Sequence, residues 1–146
     1  MRLSKFTDYA IRICLYLGAH QDRIVTVAEM ARAHGLSKNN LMKVALQLVE
    51  GGFLESTRGR AGGVRLARPA PEIRLGQVVR HMEGDGGLVD CGGCLLTGAC
   101  GLPGPFAEAQ AAFYAALDRL SLADALLSHP GSLGLLQRAA AHDSPG

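Results

Sequence analysis

The amino-acid sequence predicts a mainly α fold with a small β-wing. Three observations carry that prediction. Apolar residues recur at helical spacing through much of the chain, from Phe6, Tyr9, Ala10, Ile13, Cys14 and Leu17 near the front to Phe106, Ala109, Phe113 and Leu117 near the back. Helix start and stop signals punctuate residues 26–52 where that period requires them. Two short runs, "FLEST" (53–57) and "VRLA" (64–67), read as strands around the flexible, doubly basic tip "RGRAGG".

Residues 2–19 form the first predicted helix, and "HQDRIV" turns the chain. "TVAE" is a capping box: Thr26 opens a short helix bearing Val27, Met30 and Ala31, with Glu29 returning to the Thr26 amide. Gly35 is placed to end that helix in the left-handed conformation, and Ser37 to cap the next. That next helix, Lys38 to Glu50, buries Leu41, Val44, Ala45 and Leu48 and stops at Gly51 and Gly52. Two helices joined by a short turn containing glycine, after a leading helix, make a helix-turn-helix; the hairpin that follows makes it winged. Beyond Pro69 and Pro71, residues 75–83 give another helix and complete a winged helix-turn-helix domain over 1–83.

Residues 84–105 have no regular period and hold three of the four cysteines. An alanine-rich helix at 106–117 and a short one opened by "SLAD" (121–124) make up 106–128, and the small, polar stretch 129–146 reads as a flexible tail. The helix starting at 106 comes after the domain core is placed. It pairs most simply with its copy in a second chain, where alanines allow close approach and two-fold symmetry is the commonest arrangement.

Composition narrows the function. At 146 residues, 48% hydrophobic and 19% charged, the chain suits one compact soluble unit. No apolar run approaches the roughly 20 residues of a membrane span, and the N-terminus lacks a signal peptide's apolar core. The expected location is therefore the cytoplasm, where clustered cysteines are metal ligands or redox groups more often than disulfides. Residues 1–80 carry thirteen Lys and Arg against six acids, and residues 81–146 two against seven. Such a basic front half can approach a polyanion. An enzyme is not expected: no βαβ unit surrounds the CxxC, and no Ser/His/Asp set is suggested.

In a winged helix-turn-helix the second helix enters the major groove by its N-terminal residues, here Ser37, Lys38, Asn39, Asn40 and Lys43. Asn pairs bidentately with adenine, and Lys donates to guanine or phosphate. Arg58 and Arg60 at the wing tip suit a narrow minor groove, and Arg2, Lys5 and Arg65 suit phosphates. A dimer would read palindromic double-stranded DNA with half-sites about one or two helical turns apart.

The loop spacing, Cys91-x2-Cys94-x5-Cys100, is not that of a zinc finger, and three thiols leave a tetrahedral site one ligand short. Asp85 and Asp90 within the loop, and Asp8, Glu83, His81 and His34 outside it, could complete the set, whereas Cys14 lies on a buried stripe and reads as a core residue.

"MRLSKFTDYAIR", "VAEMARAHGLSKNNLMKVALQLVEGGFLESTRGRAGGVRLA", the three-cysteine loop and "LDRLSLADAL", in that order, resemble the Rrf-two (Rrf2) family of bacterial iron–sulfur winged-helix regulators. The resemblance spans residues 1 to about 128 and is nearer to the family's nitric-oxide sensors than to its regulators of cluster biogenesis. It implies a homodimeric repressor holding a cluster, 4Fe–4S or alternatively 2Fe–2S, through Cys91, Cys94, Cys100 and the partner subunit's Asp8. It also implies nitric oxide as the signal that releases operator DNA. The alternative is the same module sensing iron–sulfur or redox status, or holding zinc. Two departures stand out: Pro103 occupies the place of the histidine that ligates in some members, and the first two cysteines are closer than the usual spacing.

Overall fold

The computed structural model describes residues 1–141. Helix α1 (Lys5–Gly18) begins three residues later than its apolar period suggests, because the Ser4 hydroxyl accepts the Thr7 amide and fixes the start. Its inner stripe, including Ala10, Ile13, Cys14 and Leu17, is the centre of the core. Helix α2 (Val27–His34) starts on Thr26 and ends at Gly35, whose φ of 64° is the left-handed conformation that glycine adopts without penalty. Helix α3 (Lys38–Glu50) starts on Ser37 and buries Leu41, Val44, Ala45 and Leu48.

Strands β1 (Leu54–Thr57) and β2 (Gly63–Leu66) pair antiparallel, with Leu54 opposite Leu66 and Thr57 opposite Gly63. Val25 and Val64 exchange backbone hydrogen bonds of 2.9 and 2.8 Å, so the loop ahead of α2 ties the wing to the helix-turn-helix. This is the winged architecture expected.

One detail of the expected capping box is corrected. Thr26 accepts the Glu29 amide at 3.1 Å, but the Glu29 carboxylate does not return to the Thr26 amide. It takes the Arg23 guanidinium (2.9 Å on one oxygen) and the Tyr16 hydroxyl (2.7 Å) instead. A charged bidentate donor outcompetes a single neutral N–H, and the guanidinium holds the Glu29 carboxyl below its ordinary range.

After a 3₁₀ turn at Ala70–Glu72, α4 (Leu75–Glu83) packs on α1, and Glu83 at its end accepts the Ser4 amide at 2.7 Å. Helix α5 (Pro103–Asp118) begins three residues earlier than read from sequence, since a proline in the first turn gives up an N–H that has no partner there anyway. It buries none of its residues. It rides on α4 along Gln110, Tyr114 and Asp118: Gln110 donates to the Gly86 carbonyl at 2.9 Å, Arg80 covers the Tyr114 ring at 4.5 Å, and Arg80 pairs with Asp118 at 3.1 Å. The Phe106–Ala109–Phe113 side is left largely uncovered.

Helix α6 (Leu122–Leu127) has a reciprocal capping box between Ser121 and Asp124, as expected. It belongs with the front of the chain and not with α5. Leu122 and Leu126 are buried, and Leu75 and Leu122 donate to the Leu120 and Ile73 carbonyls at 2.8 and 2.9 Å.

The flexible tail expected over 129–146 is corrected for its larger part: Ser132–Ala141 is helix α7, packed through Leu136, Ala139 and Ala140 against the core. The signal was faint because that helix has only those few anchoring side chains and polar or small residues around them. Residues 142–146 of that expectation lie outside the described residues.

Candidate nucleic-acid interface and metal centre

Packing one face of α3 into the core obliges the other face outward. Lys38, Asn39 and Lys43 are exposed, Asn40 is half-buried, and Ser37 is exposed at the helix start, where its hydroxyl accepts the Asn40 amide. At the wing tip, Gly59 (φ 107°) reverses the chain between Arg58 and Arg60, and both arginines are exposed. Among the described residues no acidic side chain pairs with Lys38, Lys43, Arg58 or Arg60, whereas Arg12, Arg23, Arg65 and Arg80 each have a carboxylate partner. Lys38, Lys43, Arg58 and Arg60 are thus available to a polyanion that meets this helix and tip.

The other expected phosphate contacts are placed less simply. Arg65 spends its guanidinium on Glu55 across the wing at 3.2 Å, an exposed pair worth well under about 1 kcal/mol and readily exchanged for a phosphate. Lys5 stands over the Tyr9 ring at 5.5 Å, and Arg2 is exposed ahead of α1.

The three loop cysteines line one cavity of about 250 Å³, walled by Val89, Leu96, Leu102 and Phe106 and floored by the start of α5. The loop holds its shape locally. Thr97 Oγ1 lies 2.7 and 2.8 Å from the Cys91 and Cys94 carbonyl oxygens, and the Cys94 amide donates to the Cys91 carbonyl at 3.3 Å. The Leu102 amide donates to Cys100 Sγ at 3.4 Å, a contact of the kind that tunes a cluster's thiolate ligands. Soft thiol donors beside apolar side chains suit iron and sulfide better than hard cations. Among the described residues, however, no three His, Cys, Asp or Glu side chains are gathered closely enough to hold a single ion.

Several of the other candidate donors are engaged elsewhere. His81 sits 2.7 Å from the Gln47 carbonyl and against the Phe53 ring, fixing α4 to α3. His34 is packed edge-on against Tyr16, with its Nε2 buried and without a partner among the described residues. Glu83 is held by Thr7 and Ser4, which keep its carboxyl below the ordinary range. Asp90 does line the cavity, but its Oδ1 accepts the Gly92 amide at 2.9 Å. Asp8 is not in the cavity. It lies on an open groove with Arg2, Lys5, Tyr9 and Leu36, and pairs bidentately with Arg12 at 3.2 and 3.0 Å. Both side chains are about half exposed, so this carboxylate faces outward and can be approached. Cys14, as expected, is a core residue.

Sequence reading missed Arg12 and Thr97. The i,i+4 spacing of Asp8 and Arg12 could have shown the first. A hydroxyl that closes a loop through space leaves no such signal.

The family model described as Rrf2, an iron-dependent transcriptional regulator, matches residues 3–127. The HTH-type transcriptional regulator NsrR of Bacillus licheniformis is 35% identical over 134 residues, covering 88% of this chain and 94% of the relative. The NsrR of Bacillus subtilis is 34% identical over 143 residues, covering 94% and 98%. Among solved structures, T. potens IscR superposes with a TM-score of 0.71 at 24% identity over 88% of each chain. CymR, described as the global cysteine regulator of B. subtilis, superposes with a TM-score of 0.73 at 22% identity, over 88% of this chain and 98% of that one.

Proposed function

Because the chain belongs to the Rrf2 family of iron-dependent transcriptional regulators, we propose that it is a homodimeric repressor whose iron–sulfur cluster senses nitric oxide. The observation that carries this reading is the partition of donors. Three thiols share one cavity, while the outward-facing carboxylate that would complete them, Asp8, lies on the helix that supports the reading head. Relatives named NsrR support nitric oxide as the signal over iron status.

Cys91, Cys94 and Cys100 of one protomer and the partner subunit's Asp8 would hold the cluster. A bound cluster would supply a centre able to react with nitric oxide, and the Asp8 carboxylate, a harder and weaker ligand than a thiolate, would be the ligand most readily given up. Asp8 has two alternative partners. Engaged across the dimer, it leaves Arg12; released, it returns to the bidentate pair with Arg12. Asp8 and Arg12 share their groove with Leu36, in the turn between α2 and α3, so this exchange acts at the joint between α1 and the helix-turn-helix. Two arrangements of that joint set two spacings of the paired α3 helices, of which the cluster-bound one fits the operator.

The α5 helices pair the protomers along the face that Arg80 and α4 leave uncovered. Lys38, Asn39, Asn40 and Lys43, with Ser37, meet base edges, while Arg58 and Arg60 enter the minor groove and Arg2, Lys5 and Arg65 hold phosphates.

The test is an anaerobic absorption spectrum with iron and sulfide counts for wild type, Asp8→Ala and Asp90→Ala. Wild type and Asp90→Ala are expected to be brown with equal iron and sulfide, and Asp8→Ala to lose much of both. A colourless zinc-bearing wild type, or an undisturbed Asp8→Ala, would overturn the ligand set.

A further inference from the structure

Most of α3's exposed face is polar, but not all of it. Met42 is 51% and Leu46 59% exposed, one helical turn apart, among Lys38, Asn39 and Lys43. Spacing of three and four residues puts Asn39, Met42 and Leu46 in one line along the helix. Other large exposed apolar side chains stand mainly on the cysteine loop, on α5 and toward the C-terminus. Met42 lies between Lys38 and Lys43, which no described carboxylate neutralises, and Leu46 follows one turn on, with the exposed Glu50 a turn beyond it. An apolar strip with cations beside its N-terminal half suits a polyanion that offers an apolar spot there. The major groove offers one: the C5-methyl of thymine, the only apolar group on its base edges.

We propose that Met42 is a specificity-determining residue that packs on a thymine methyl, with Leu46 continuing the strip and Asn39, one turn earlier, reading adenine. The inference rests on α3 being the recognition helix. A thioether chain has three rotatable bonds and fits such a methyl without a fixed pocket. Preference for T·A over C·G at that position follows, since cytosine lacks the methyl.

The experiment uses the cluster-bearing dimer and a duplex selected by it from a random library. Each thymine is replaced in turn by deoxyuridine, which removes the methyl and leaves every hydrogen-bonding edge in place. For wild type, one position per half-site should weaken binding about fourfold, the factor that corresponds to roughly 0.8 kcal/mol for one methyl-sized group. Met42→Ala, whose exposed site leaves folding intact, should bind thymine and uracil duplexes equally and keep its salt dependence. The proposal is overturned if no position is sensitive in wild type, or if Met42→Ala shows the same sensitivity. It is also overturned if Met42→Ala dissociates the dimer, which would make this strip a protein interface. If wild type binds no duplex in a salt-dependent way, it is the recognition-helix reading itself that fails.

Discussion

Burial pushes the Cys14 thiol up to about 12, because its thiolate would lose all hydration inside the packed stripe of α1, whereas Cys91 and Cys94 stand exposed. Maleimide treatment of the folded, metal-free protein should therefore modify the three loop cysteines, and Cys14 only in denaturant; mass spectrometry reads the count. His34 is set apart by the same physics. Desolvation, then the Arg12 charge, lowers its pKa, so in the fold it takes its proton at lower pH than the unfolded chain, which does so near 6.5. Below that value the unfolded state binds more protons, so this contribution to stability is full above about pH 6.5 and is lost as pH falls. Urea midpoints measured from about pH 7.5 to 5.5 should decline in wild type and decline less in His34→Gln. Arg12 matters on the same joint, since its side chain pairs with Asp8 and its charge bears on His34.

Among the elements, the helices whose ends are marked by caps were the legible ones. Thr26, Gly35, Ser37 and the Ser121–Asp124 pair stand where the sequence places them, because a cap is a local hydrogen bond between residues three apart. Choices made across space were not legible. Glu29 abandons its cap for Arg23 and Tyr16, α7 forms only because the core accepts Leu136, and α6 leaves α5 because Leu122 has a cavity of core side chains to fill. Leu122→Ala should cost about 2–5 kcal/mol in unfolding free energy, as for a fully buried leucine, and should loosen the joint between α6 and the segment ahead of α4. The candidate site divides likewise. The cysteines and the recognition residues could be read, while the Thr97 clasp and the Asp8–Arg12 pair are matters of distance. For the proposed phosphate contacts, replacing Arg2 and Lys5 by alanine should weaken binding to all duplexes. The slope of log K against log salt should shrink by about 0.9 for each phosphate that is no longer neutralised.

At the scale of the whole molecule, the front half is basic and the back half, which holds the three loop thiols, is acidic; Asp8 on α1 is proposed to couple the two. If the fourth ligand crosses between protomers, dimerisation and cluster retention stand or fall together. Ala112→Glu, on the uncovered side of α5, should yield a monomer in sedimentation and lose the brown absorbance with it; a brown monomer would place the fourth ligand within one chain. The most direct test is the operator affinity of the anaerobic holo-dimer during a nitric oxide titration, with the cluster absorbance followed in the same sample. The predicted result is a fall in affinity that tracks loss of the cluster band. Undiminished affinity after complete reaction would contradict it.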